Sequence, residues 1–256
     1  MFRKFMLLTV LLIAISAFSL RSSVSAQATV DPTKPMPFYL LTIRGMLSPK
    51  TLAEASAVHN KTAGDPASVA AARSLGDLSH MVYLPIEKPT SGAGEVLFID
   101  QWNSIDGLNK FFANPDVQKG AGLIFTQRDP VVWTPAEGFY TYHLATPYGK
   151  NDRYVVMVRG TVKSRTDAMA LNNQLVGGGI NSARLAGDFS HDVYFKLAAP
   201  GDAESLEFLA VDVWMSADNI AKYYQNPDFQ TGIQKLFTAP PTVSTWVQTT
   251  GDWMEW

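Results

Sequence analysis

GDLSHMVY, residues 76–83, returns as GDFSHDVY at residues 187–194, with six of the eight letters unchanged. A phrase written twice in one chain is either a repeated site or the visible part of a repeated fold, and the neighbouring sequence favours the fold. IDQWNS (99–104) matches VDVWMS (211–216), and FFANPDVQKG (111–120) matches YYQNPDFQTG (223–232), in the same order and at an offset of 112 against 111 for the opening phrase. Upstream, FYLLTIRG (38–45) matches RYVVMVRG (153–160) at an offset of 115, so the first copy holds about four extra residues near His59 to Pro66. Ordered matches at a nearly constant offset indicate an internal duplication.

Each copy reads as strand, helix, strand, strand, helix, strand. Phe38 to Arg44 is apolar and rich in β-favouring residues, which predicts the first strand. A helix follows from about Pro49 to His59, then a short second helix with Asp65 as N-cap and Pro66 at N1, a pairing that supplies an acceptor and loses no needed N–H. Gly76 ends it. The histidine phrase begins the second strand, PTSGAG (89–94) turns the chain, and Glu95 to Trp102 is the third strand. The next helix, Ser104 to Ala113, breaks at Asn114-Pro115 because proline disfavours helix at the residue before it. A second helical piece runs toward Phe125, and Val131 to Trp133 supplies the fourth strand. In the second copy, Gly177-Gly178-Gly179 reads as a helix stop and loop.

Arg3 and Lys4 precede an apolar run, Met6 to Leu20, that ends in small residues up to Ala26. This is the pattern of a secretory signal peptide, and it predicts three segments: 1–26 as the leader, 27–145 as the first repeat and 146–256 as the second. The expected location is the periplasm or the exterior. The apolar run is short for a bilayer span, and no later segment could form one. Of 21 basic and 23 acidic residues, the leader holds Arg3, Lys4 and Arg21 and no acid, leaving 18 and 23. That balance argues against a nucleic-acid partner, which needs a concentrated basic surface. Without cysteine, the fold must be held by its core.

The order of elements, the length of each copy and the Asn-Pro-Asp break in the second helix resemble the dimeric α/β-barrel superfamily, of the kind that includes EthD-like proteins and antibiotic-biosynthesis monooxygenases. The resemblance implies an α+β fold in which two ferredoxin-like βαββαβ repeats, residues 38–139 and 152–253, close into one pseudo-twofold α/β-barrel. An internal barrel of this kind removes the need for a dimer, so a monomer is expected. The superfamily also contains polyketide cyclases, lactone isomerases and haem-handling enzymes, so the activity it implies is broad.

Alternation along a strand divides Glu95–Trp102 into Val96, Phe98, Asp100 and Trp102 on one face and Leu97, Ile99 and Gln101 on the other. The aliphatic face suits packing under helices. By elimination Asp100, Trp102, Asp212 and Trp214 are expected inside the barrel, as are Arg44 and Arg159, while Leu41 and Ile43 go to the helix side. Arg44 and Arg159 either pair with those aspartates as structural bridges or hold an anionic ligand. The tryptophans are either core or ligand platform.

His80 alternates with Val82 and Leu84, and His191 with Val193 and Phe195, so each histidine lies on an apolar face with Tyr83 and Tyr194 opposite. Each is either a core residue bonded locally, to Asp77 or Asp188, or a general base tuned by a carboxylate. On this reading only a place inside the barrel leaves catalysis open. His59, without a counterpart, is expected on a solvent-facing helix surface.

The sequence contains no HExxH, GxSxG, GxGxxG or GxxxxGK motif and no cysteine-based metal site. The predicted function is binding of a small apolar or aromatic molecule. An enzyme would use His80 or His191 as base, Asp100 or Asp212 to orient charge, Arg44 or Arg159 against a developing anion, and Phe98, Trp102, Trp214, Tyr83 and Tyr194 as lining. Cofactor-independent lyase, isomerase, cyclase and monooxygenase chemistry all fit. The alternatives are a non-catalytic binder of a hydrophobic ligand or of haem, with a histidine as axial ligand, and an interaction module whose barrel is plugged by side chains.

Overall fold

The structure, a computed structural model, describes residues 37–87, 89, 92–144, 153–249 and 251–256. The expected leader 1–26 and the expected boundary at 145/146 lie outside the described residues. The first half contains β1 (Tyr39–Leu47), α1 (Leu52–Thr62), α2 (Pro66–Ser74), β2 (Asp77–Pro85), β3 (Glu95–Trp102), α3 (Ile105–Ala113), α4 (Pro115–Ile124) and β4 (Phe125–Pro135). A two-residue strand, β5 (Tyr142–His143), leads to the second half: β6 (Tyr154–Thr161), α5 (Arg165–Ala186), β7 (Asp188–Lys196), β8 (Glu207–Trp214), α6 (Ala217–Tyr224), α7 (Pro227–Leu236) and β9 (Thr242–Gln248).

Local chemistry sets these boundaries. Thr51 and Glu54 form a capping box at α1, the Asp65 side chain accepts from the Ser68 amide with Pro66 at N1 of α2, and Ser104 caps α3. Asn114 caps α4 as α3 ends, so the break before Pro115 is a handover between helices. Gly187 takes a φ of 104° at the end of α5, and Gly76 takes 105° where a Cβ would stand 2.2 Å from Asn103 Oδ1, so both positions require glycine. Gly177 to Gly179 lie inside the continuous 22-residue α5 and do not stop it. One reason is packing: a Cβ at Gly177 would stand 3.2 Å from the Tyr140 ring, and one at Gly179 3.2 Å from the Tyr223 hydroxyl, so the bare backbone admits both side chains.

All strand pairings are antiparallel. The order β4-β1-β3-β2-β9-β6-β8-β7 closes through β7 and β4 into an eight-stranded barrel, and the first half's order, β4-β1-β3-β2, recurs as β9-β6-β8-β7. Along one edge of β7, β4 pairs with residues 194–196 and β5 continues with Tyr142 opposite His191. Along the matching edge of β2, β9 pairs with residues 83–85, and Trp256 then exchanges two backbone hydrogen bonds with His80, at 2.7 and 3.1 Å.

Three apolar clusters follow. The barrel interior is filled from both halves by Leu40, Leu97, Ile99, Trp133, Leu209, Val211 and Trp246, with Tyr83 and Tyr194 among them. Beneath α1–α4 lie Leu41, Ile43, Val82, Phe98 and Trp102, and beneath α5–α7 lie Val156, Val158, Phe208 and Trp214. Asp100, Trp102, Asp212 and Trp214 therefore face the helices, opposite to the sequence expectation. The register explains this. Leu41 stands opposite Asp100 and Ile43 opposite Phe98, so they share one face of the sheet. An eight-stranded barrel has just enough width to be filled by side chains, and it takes the aliphatic set together with Trp133 and Trp246. These side chains fill the middle of the barrel, leaving a space of about 410 Å³ at one mouth, and a larger space of about 530 Å³ lies under the helices of the first half.

Candidate functional site

In the first half, β2 and β3 place His80 opposite Asp100, and His80 Nδ1 stands 2.6 Å from Asp100 Oδ1. The histidine bonds this aspartate and not Asp77. Helix α1 then delivers His59, fully buried, with its Nε2 3.0 Å from His80 Nε2 and the two ring planes within 13°. The expectation of an exposed His59 fails because its helix face lies against the sheet, wedged among His80, Phe98 and Trp253.

The direction of every hydrogen bond in this cluster can be worked out. The Asn60 amide nitrogen donates to the Asp252 carbonyl, and Asn60 Oδ1 accepts from the Met254 amide, so the orientation of the Asn60 side chain is fixed. His59 Nδ1, 3.0 Å from that same Oδ1, must then carry a proton and donate. Burial and the neighbouring His80 push the His59 pKa down to about 4, so its ring is neutral at pH 7 and Nε2 is a bare acceptor. His80 must therefore donate from Nε2, and the His80–Asp100 pair holds two protons between them. The His80 ring has no free lone pair in this arrangement.

Asp77 completes the group. It is buried, its Oδ2 accepts the Trp256 indole N–H at 2.8 Å, and Oδ1 has no partner among the described residues. Burial, then the charge of Asp100, raise its pKa to about 7, against the opposing pull of the Trp256 hydrogen bond and of His80. Trp256 also stacks on His80, with centroids 4.5 Å apart.

Asp77, His80 and Asp100 line a cavity of about 530 Å³ whose walls include Phe98, Trp102, Phe111, Phe112 and Trp256. Its size lies within the range of small-molecule sites. Space exists here because the α2 residues facing it, Ala67, Ser68 and Ala71, are small.

The second half repeats the polar group under a tighter roof. His191 Nδ1 stands 2.5 Å from Asp212 Oδ1, Tyr224 donates its hydroxyl to Asp212 Oδ2, and Tyr142 donates to Asp188 Oδ2 at 2.7 Å. His191 Nε2 and Asp188 Oδ1 have no partner among the described residues. Burial lowers the proton affinity of His191, but the charge and hydrogen bond of Asp212, with Asp188 beside it, outweigh burial and the net direction is upward. Burial and then Asp212 push Asp188 up to about 8. The adjoining cavity is only about 50 Å³, roofed by Leu175, Val176 and Ile180 of α5.

The other sequence candidates lie elsewhere. Arg44 and Arg159 are on the opposite face of the sheet from Asp100 and Asp212 and do not pair with them. Arg44 binds Glu95 at 2.7 Å, and Arg159 binds Asp129 at 2.9 Å and also Glu207. Both line a space of about 410 Å³ at one mouth of the barrel, each guanidinium over a tryptophan, Trp246 or Trp133. They cannot reach an anion formed beside either histidine. Tyr83 and Tyr194 face the barrel interior, opposite the histidines as alternation requires, and line neither histidine cavity. Phe98 and Trp102 line the larger cavity, and Trp214 packs fully buried against Tyr223 and Tyr224.

Sequence reasoning missed the site roles of His59, Asn60, Asp77, Asp188, Tyr142 and Trp256. For the aspartates a signal was present: the repeated GDxSH phrase keeps an aspartate three residues before each histidine. Trp256 and Tyr142 reach their positions only through long-range strand pairing.

Neither His80 nor His191 suits the axial position of a haem. Both ring nitrogens of His80 are engaged, and the free Nε2 of His191 opens on about 50 Å³, too little for a porphyrin. Among the described residues no cluster of three or more His, Asp or Glu side chains is arranged to hold a metal ion.

No family model matches the chain, and no curated protein matches it significantly. Solved structures do. An anthrone oxidase-like protein aligns with a TM-score of 0.59 at 16% identity, over 85% of this chain and 93% of its own. A candidate monooxygenase from Fusobacterium nucleatum gives 0.55 at 10% identity, over 87% and 99%. A mutant chlorite dismutase from Candidatus Nitrospira defluvii gives 0.51 at 9% identity, over 85% and 93%. At these identities the likeness concerns the fold alone, and the chain shares the α+β-barrel architecture of these proteins.

Proposed function

We propose that this protein binds a small apolar or aromatic molecule in the first-half cavity and acts on it by acid–base chemistry without a cofactor. The observation that carries this reading is a cavity of about 530 Å³ with aromatic walls that closes on one polar cluster, Asp77, His80 and Asp100. Apolar walls with a few convergent polar groups and a strongly shifted carboxyl are the marks of a small-molecule site.

The general-base role predicted for His80 passes to Asp77 while His59 holds His80 Nε2. Asp77 has an unpartnered oxygen and a pKa of about 7, near the optimum for a general base at neutral pH. His80 and Asp100, joined at 2.6 Å, stand beside the Asp77 carboxyl, and an anion forms when a substrate C–H or O–H gives its proton to Asp77. That anion then rearranges, or reacts with dioxygen from solution. The likeness to an anthrone oxidase-like protein and to candidate monooxygenases favours the dioxygen branch. His191 and Asp212, under the closed roof, are the weaker catalytic pair. We also assign the duplication to a ferredoxin-like unit, and export to the 1–26 leader.

The test is turnover of anthrone under air, followed by anthraquinone absorbance, in the wild type and in the Asp77→Asn, His80→Ala and His191→Ala variants. Loss of turnover in the first two variants with retention in the third is the expected result. Binding of anthrone without turnover in the wild type would make the protein a hydrophobic-ligand binder.

A further inference from the structure

Each polar cluster is completed by a segment that follows the last strand of the other half. After β4 the chain crosses to β7, where Tyr142 stacks on His191, with centroids 6.0 Å apart and planes at 27°, and donates to Asp188 Oδ2. After β9 it crosses to β2, where Trp256 stacks on His80 at 4.5 Å and 23° and donates to Asp77 Oδ2. Two different side chains, each on the segment after the last strand of the other half, thus reach the same pair of contacts. Packing alone needs the ring, but it does not need an N–H in one half and an O–H in the other aimed at the same aspartate oxygen.

The 251–256 strap has a second link to the site. Its Asp252 carbonyl and Met254 amide fix the Asn60 amide, Asn60 fixes which nitrogen of His59 carries the proton, and His59 thereby fixes His80 as a donor. Glu255 ties the strap down by accepting from the Val82 amide at 2.7 Å. We propose that residues 252–256 are a working part of the first-half site: Trp256 is a positioning residue for Asp77, and the strap, through Asn60 and His59, is a positioning element for His80. The inference rests on the first-half cavity being the functional one.

Asp77 is faced by His80 on its own strand, by Asp100 from β3 and by Trp256 from the strap. Around the cavity stand Lys61 of α1, Lys110 of α3, Asp116 and Lys119 of α4 and Arg128 of β4. Trp256→Phe keeps the stack on His80 and removes only the N–H. Because that hydrogen bond favours the ionised carboxyl, the Asp77 midpoint rises above its wild-type value of about 7, by about one pH unit.

The experiment is a pH titration by NMR with ¹³C-carboxyl-labelled aspartate and ¹⁵N-labelled histidine. Wild-type His80 is expected to carry a proton on Nε2, Asn60→Ala to shift His80 Nε2 toward the unprotonated form, and Trp256→Phe to raise the Asp77 midpoint. Tyr142→Phe is expected to raise the Asp188 midpoint in the same way, which gives an independent reading in the other half. An unmoved Asp77 midpoint in Trp256→Phe, or unmoved His80 signals in Asn60→Ala, would overturn the inference. Failure of any aromatic probe to bind the wild type would end the small-molecule reading while leaving these shifts in place.

Discussion

The two halves carry the same Asp–His–Asp group on the same strands, yet one opens on about 530 Å³ and the other on about 50 Å³. The difference comes from the roof. In the first half the covering segment is two helices, α1 and α2, and Ala67, Ser68 and Ala71 line the cavity. In the second half α5 runs unbroken and lays Leu175, Val176 and Ile180 over it. The polar groups differ accordingly. His80 is held at both nitrogens, by Asp100 and by the extra histidine His59, whereas His191 keeps a free Nε2.

If the second cluster is mainly structural, the largest effect on stability comes from removing its buried carboxylate. Asp212→Ala strands His191 and the Tyr224 hydroxyl and is expected to cost about 3–5 kcal/mol in urea denaturation; a cost below about 1 kcal/mol would mean that His191 carries no charge there. Next, Ile180→Ala, which thins the closed roof, is expected to cost about 1–3 kcal/mol. The matching change on the open side, Ser68→Ala, removes only a hydroxyl bonded near the Asp65 cap and stays smaller. Equal costs would erase the contrast between the roofs.

The raised carboxyls predict a pH slope. Asp77 and Asp188 have folded-state pKa values of about 7 and 8, above the unfolded value of 3.8, so the folded chain binds more protons than the unfolded one and stability falls as pH rises through those values. His59, lowered to about 4, opposes this only below its unfolded value of 6.5. Between pH 6.5 and 8.5 the melting temperature should therefore drop by a few degrees, and it should flatten in Asp77→Asn and Asp188→Asn. A melting temperature that rises across that interval would contradict the assignment. The smallest effect belongs to His143→Ala. Its contact with Asp192 is 3.0 Å, but the ring is 66% exposed, so the loss should stay under about 1 kcal/mol.

Much of the fold was legible because its signals are local. The cap at Asp65-Pro66, the break at Asn114-Pro115 and the bounds of Glu95–Trp102 were read as they stand. Gly177 to Gly179 were misread because tertiary packing against Tyr140 and Tyr223 outweighs the low helix propensity of glycine. The face of Asp100 was misread because alternation separates two faces without saying which is inside, and only the pairing with Leu41 decides that. For the site, His80 and Asp100 were placed together, but Asp77 was given the wrong partner. His59 and Trp256 depend on contacts 21 and 176 residues away along the chain, which no local pattern encodes.

Calorimetric titration with 1-naphthol, an uncharged bicyclic aromatic at neutral pH, tests the central claim most directly when the wild type is set beside Ala71→Trp, which fills the first-half cavity and leaves the second half untouched. One site per chain is expected in the wild type, with affinity at least about tenfold weaker in the variant. Equal affinity in both proteins, or no binding to the wild type, would contradict the claim.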